Sequence, residues 1–305
     1  MVILWYGLVP MTGALINRRK WRQFRKRFDE LRRSPVLTYS NFRPTTPPSR
    51  LQASGLENKA GPFRFIGTFE SITDRQTLWI RSDNLTVPIP LKNAKTYLLP
   101  AENDNEAQTV DPRDEIMEII RWNKVSSLTE GARVFVGGLL ADTDGRFGFT
   151  STKENPLMVI IFYGSDDSLS ARVIRAGRPC RDYLNAVTPY SLIIGVICQI
   201  LIAAAYLHRP AFRPTVIISL IALFIPLYPF IPPGLLFTLM HRRLVWRVRN
   251  LRACGDLARY KILTDSLPAW RYIAKANLLE AAAWIILTAG IGLNIFFLAI
   301  FLTVL

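Results

Sequence analysis

The chain has 305 residues, 50% of them hydrophobic, and its 38 Lys+Arg stand against 23 Asp+Glu for a net charge of +15. A mean hydropathy of +0.19 beside that charge requires apolar and basic residues to occupy separate segments, the pattern of a membrane chain with basic flanks. Collagen-like and wholly disordered classes are excluded, and three scattered cysteines (Cys180, Cys198, Cys254) supply neither a disulfide framework nor a Cys-ligated zinc site.

Met1–Asn17 carries no charged side chain, and the basic residues follow it at Arg18, Arg19, Lys20, Arg22, Arg25, Lys26 and Arg27. A secretory signal has the opposite order. The segment suits a short anchor with its N-terminus outside; an interfacial or re-entrant segment is the alternative, because 17 residues are few for a span. Residues 18–33, with nine basic and two acidic side chains, complete this anchor as a basic stop. Residues 34–62, with Pro35, Pro44, Pro47 and Pro48, read as a linker.

Residues 63–164 read as a β-rich domain. Strands are predicted at Phe63–Phe69, Thr77–Arg81, Leu85–Leu91, Ala132–Ala141, Arg146–Thr150 and Leu157–Tyr163. Pro88 and Pro90 make the third strand short or an edge. Asp111-Pro112 is a helix-start pattern, and a helix to about Trp122 is predicted. Short strands with one helix among them describe a small OB-like β-barrel. Glu102, Asp104, Glu106, Asp111, Asp114, Glu115 and Glu118 offer oxygen ligands without EF-hand spacing and read as a solvated acidic loop.

Glu130, Gly131, Val134, Phe135, Val136 and Gly138 fall in the run LTEGARVFVGGLLADTDGRFGFTSTKENPLMVI. With the basic anchor before it and a basic stretch and helix after it, residues 63–185 resemble the GIDE-type domain of membrane-anchored proteins. The resemblance implies a β-rich soluble module held beside the bilayer. Members of that family that act as ubiquitin ligases carry a Cys/His-rich RING after the last helix; this sequence shows none, so ligase activity is not implied.

Residues 165–305 read as a membrane domain. Tyr183–Leu207, Pro214–Met240 and Ala281–Leu305 lack Asp, Glu, Lys, Arg and His over 25, 27 and 25 residues, enough to cross a ~30 Å hydrocarbon core. With the anchor they make about four transmembrane helices. Pro226, Pro229, Pro232, Pro233 and Gly234 break the third span. Either the broken helix lines a site, as in transporters, or the span ends near Ile225 and continues as an interfacial turn. Gln199 and Asn294 are the strongly polar side chains inside the spans, in positions to bond each other and pack helices. In 241–262, apolar residues recur at three- to four-residue spacing between arginines, an interfacial amphipathic helix. The basic regions 18–33, 164–185 and 241–261 all fall on one side of a four-pass chain, the cytoplasmic side. N-terminus and C-terminus are then outside and the β-domain inside, in a multi-pass protein of a bacterial inner membrane.

Phosphate-loop, dinucleotide-binding, zincin and nucleophile-elbow motifs are missing from the sequence. His208 and His241 stand at helix ends next to Arg and read as interfacial. No catalytic, cofactor or metal residues are assigned. Anionic lipid headgroups are the expected partners of Arg18, Arg19, Lys20, Arg22, Arg242, Arg243, Arg247 and Arg249. Nucleic acid is the less favoured partner, although Trp21, Phe24 and Phe28 interleave with basic residues. The expectation is an α+β membrane protein that scaffolds or binds another protein without catalysis of its own. Its alternative is a transporter or channel subunit using the broken third span.

Overall fold

A computed structural model describes residues 1–38, 62–73, 76–82, 85–99, 117–120, 131–143, 146–152, 155–178, 185–209, 213–262 and 267–304. The chain is α+β and divides into two compact units, Gln23–Gly177 and Met1–Arg22 with Arg178–Leu305.

The first unit holds one mixed sheet of eight strands: β1 (Pro62–Thr73), β2 (Thr77–Ser82), β3 (Leu85–Pro90), β4 (Lys95–Leu98), β5 (Glu118–Ile120), β6 (Arg133–Thr143), β7 (Arg146–Thr150) and β8 (Met158–Phe162). The order is β3-β2-β1-β6-β8-β4-β5, with β7 paired to β6. Among the described strands, β4 and β8 pair in parallel and the other ladders are antiparallel. The six predicted strands are present, Arg146–Thr150 with the expected ends and the other five with shifted ends. β4 is additional, and β5 replaces part of the helix predicted from 111 to 122, of which residues 111–116 and 121–122 lie outside those described. Pairing of Tyr97 with Ile119 overrides the local helix signal, since a strand is held by its neighbour more than by its own propensity.

The predicted OB-like barrel does not form. Among the described residues no ladder joins β3 to β5, so the sheet is open. Prolines at 88 and 90 deprive β3 of ladder donors, and it ends the sheet as an edge strand. The sheet is nonetheless sharply bent. The first half of β1 pairs with β6 and its second half with β2, the change falling at Thr68. A Cβ on Gly67 would collide with the Arg81 carbonyl and Ile80, so only glycine allows this corner.

Bending lets β2 and β3 fold over β6 and β8. Leu78, Ile80, Val87, Ile89, Val134, Val136, Val159 and Ile161 share one buried cluster with Phe65 and Phe149. Alternation along β6 and β8 sends Phe135, Ile160 and Phe162 to the opposite face, where all three are also buried. That face is covered by the end of helix α1 (Val9–Arg33). Phe28 meets Phe135 at 5.4 Å and Phe24 meets Tyr97 at 4.6 Å between ring centroids. Leu31 fills the space a side chain at Gly137 would need. Helix α2 (Asp166–Ala176), which the sequence reading did not separate, buries Leu169, Val173 and Ile174. Arg133 pairs with Asp166 at 2.6 Å, and Arg172 donates to the Tyr163 carbonyl at 2.5 Å.

In the helical unit, a π-helical turn (Leu4–Leu8) leads into α1 and is followed later in the chain by α3 (Thr188–Tyr206), α4 (Arg213–Leu223), α5 (Gly234–Arg259) and α6 (Ala269–Val304). Two helices are long and apolar enough to cross a membrane, α3 and residues 269–301 of α6. The four spans expected from sequence are therefore not all reproduced. The predicted 214–240 span is two helices separated by the turns of residues 224–233, because four prolines there cannot donate to a continuous ladder. The amphipathic 241–262 segment is not a separate helix but the continuation of α5. The last helix starts twelve residues earlier than its charge-free run, admitting Arg271, Lys275 and Glu280.

Candidate functional site

The basic residues at the start of the chain divide into two groups. Arg19, Lys20 and Arg22 are exposed, whereas Phe24, Phe28 and Leu31 at i, i+4 and i+7 are buried. That spacing is an amphipathic-helix signal, visible in the sequence, where Phe24 and Phe28 read with Trp21 as aromatics interleaved with basic residues and Leu31 is passed over. Within the sheet unit, Arg25 donates to the Gly177 carbonyl at 2.7 Å and Arg27 donates to the Pro156 carbonyl. Burial lowers the Arg27 pKa from its ordinary value, and the nearby Tyr97 and Glu30 partly counter this. Burial likewise raises the Tyr97 pKa, and the Arg27 charge partly offsets it.

In the helical unit a charge network joins four chain segments. Glu280 of α6 takes Arg18 of α1 on Oε1 at 3.2 Å and pairs with Arg252 of α5 through Oε2. Arg252 also donates to Asn277 Oδ1 at 3.2 Å. One turn further along α5, Asp256 pairs with Arg178, which also donates to the Arg252 carbonyl at 2.9 Å. The side chains of Arg178 and Asp256 are only 14% and 16% exposed. Partial desolvation strengthens such pairs and makes an unpaired member costly. Glu280 directly precedes the charge-free run of α6, so the network lies where charge gives way to apolar sequence. Of the residues assigned to lipid headgroups, Arg242, Arg243 and Arg247 are exposed on α5 and Arg249 is half-buried.

Two prolines leave backbone carbonyls without their helical donors, and each is served by a side chain from a neighbouring helix. In the π-helical pattern the Trp5 carbonyl would accept from residue 10, which is Pro10; the Ser191 hydroxyl of α3 donates to it instead. An α-helical bond to the Tyr228 carbonyl would come from residue 232, also a proline. Asn294 Nδ2 donates to that carbonyl at 2.9 Å and to the Ile231 carbonyl at 3.1 Å. A Cβ on Gly234 would strike both the Tyr228 carbonyl and the Asn294 amide. A carbonyl cut off from water without a donor is costly, and these side chains supply the replacement.

Asn294 thus bonds the proline turn, and among the described residues no hydrogen bond joins it to Gln199. Gln199 is 3% exposed on α3. Beside Asn294 lies a partly open cavity of about 540 Å³ lined by Phe224, Tyr228, Ile231, Pro232, Pro233, Asn294, Phe297 and Leu298. His241 Nδ1 lies 2.9 Å from the Ala283 carbonyl, and its ring stands 5.7 Å from Trp284, which ties it into the α5–α6 packing. Of the acidic set, Glu102 to Glu115 lie outside the described residues and Glu118 opens β5. Of the residues that carry the GIDE resemblance, Glu130 is outside the described residues, Gly131 sits at φ +89°, and Val134, Phe135, Val136 and Gly138 lie on β6.

No family model, no curated protein and no solved structure matches this chain.

Proposed function

We propose that this is a multi-pass membrane protein that presents its α+β unit at the cytoplasmic face as a scaffolding or protein-interaction module. One observation carries the reading: Arg18, Arg178 and Arg252 meet around Glu280 and Asp256. Each arginine comes from a different one of the three basic regions. Their convergence supports one shared side for all three, and the excess of Lys and Arg assigns that side to the cytoplasm. The sheet unit is flanked in sequence by two of these regions, so it belongs to the same side. Exposed Arg19, Lys20, Arg22, Arg242, Arg243 and Arg247 then face anionic headgroups, each contributing about 1 kcal/mol near the surface.

The test is thiol labelling of a variant lacking Cys180, Cys198 and Cys254. Gly148→Cys suits it because nothing lies within 4 Å of an added Cβ there, and Leu207→Cys because Leu207 is 62% exposed at the end of α3. With an impermeant reagent on intact cells, position 207 labels and position 148 labels only after lysis. Labelling of position 148 from outside overturns the orientation.

A further inference from the structure

Asn294 holds an unused hydrogen-bonding atom. Its Nδ2 donates to two carbonyls, which fixes the amide orientation. Its Oδ1 accepts no hydrogen bond from the described residues, and the side chain lines the cavity while Asn294 is only 6% exposed. That oxygen is not fully buried; where the cavity lies in hydrocarbon, an acceptor open to it without a donor is unfavourable, and none of the described residues supplies one. The eight lining residues carry no formal charge, which disfavours an ionised headgroup or a carboxylate. Asn294 stands near the middle of the charge-free run Ala281–Leu305, deep in the bilayer if α6 spans it. The inference rests on that membrane reading.

We propose that this cavity binds a neutral lipid alcohol. Its apolar body packs against Phe224, Tyr228 and Phe297, and its hydroxyl donates to Asn294 Oδ1. The cavity has a volume of about 540 Å³. The volume lies within the ~300–1,000 Å³ common for small-molecule sites, which pair apolar walls with a few orienting polar groups.

The probe is hexadecanol carrying a mid-chain diazirine, compared with its methyl ether, which keeps the shape and loses the donor. Full-length protein in native membranes is photolabelled and mapped by mass spectrometry. Recovery of the chain in carbonate-washed membranes tests the membrane reading by itself. The alcohol is expected to label peptides covering 224–233 or 294–298 about tenfold more than the ether, the difference one hydrogen bond makes. Unlabelled hexadecanol competes. Leu298→Trp, which fills the cavity and leaves the Asn294 bonds untouched, abolishes that labelling. Equal labelling by alcohol and ether overturns the proposal, as does undiminished labelling of Leu298→Trp. Should Leu298→Trp fail to accumulate, the comparison on the native chain decides.

Discussion

Glu280 is shared by Arg252 and Arg18, the first meeting its Oε2 and the second its Oε1 at 3.2 Å. One carboxylate thereby links α1, α5 and α6 at the edge of the apolar run. Its side chain is 23% exposed, so the pairing is stronger than a surface ion pair and weaker than a fully buried one. Glu280→Gln is expected to lower the stability of the solubilised chain by about 1–2 kcal/mol. Exchanging the charges in Glu280→Arg with Arg252→Glu recovers part of the loss. Thermal unfolding in detergent checks this, and an unchanged midpoint for Glu280→Gln would sink the idea that the network holds the helices.

Asn294→Leu removes the donor that serves the Tyr228 carbonyl, whereas the Ile231 carbonyl still receives Leu235 N–H at 3.2 Å. One orphaned carbonyl costs about 1–3 kcal/mol. Asn294→Leu should therefore lower the thermal midpoint and open the 224–233 turn to protease. Gly234→Ala should do so more severely, because its Cβ displaces both donor and acceptor. A stability indistinguishable from the native chain for both variants would refute the capping role.

The sheet unit needs its helices. A fragment of residues 23–177 keeps Phe24, Phe28 and Leu31 over the face bearing Phe135, and is expected to melt cooperatively. A fragment of 60–165 lacks α1 and α2 and exposes that face, so it should aggregate or melt without cooperativity. Phe28→Ala in the longer fragment removes a fully buried ring and costs about 3–5 kcal/mol. Circular dichroism melts compare the three, and equal cooperativity in both fragments would contradict the packing described.

Tyr97 has a pKa raised by burial. The folded state keeps its proton to higher pH than the unfolded chain, so stability from this group is intact below about pH 10 and falls as pH rises above it. Alkaline unfolding of the 23–177 fragment should begin there, and Tyr97→Phe should reduce the slope. An identical pH dependence in the two proteins would show that other groups control it.

Legible in the residues alone were the separation of apolar from basic segments, two helices of spanning length among the four spans expected, six strands by alternation and turn chemistry, and a third strand that its prolines make short or an edge. Each is a local pattern, legible because the period of a helix or strand is written in neighbouring residues. Tertiary structure decided the rest. Asp111-Pro112 promised a helix, but Ile119 found a partner in Tyr97. Phe24 and Phe28 stood among basic residues as interleaved aromatics, yet with Leu31 they cover the sheet face that bears Phe135 and Gly137. Asn294 and Gln199 looked like partners for one another, yet Asn294 bonds a carbonyl 66 residues away that a proline had left bare. Which groups meet depends on long-range closure of the chain, and a one-dimensional pattern carries no record of which distant carbonyl or carboxylate will lack a partner.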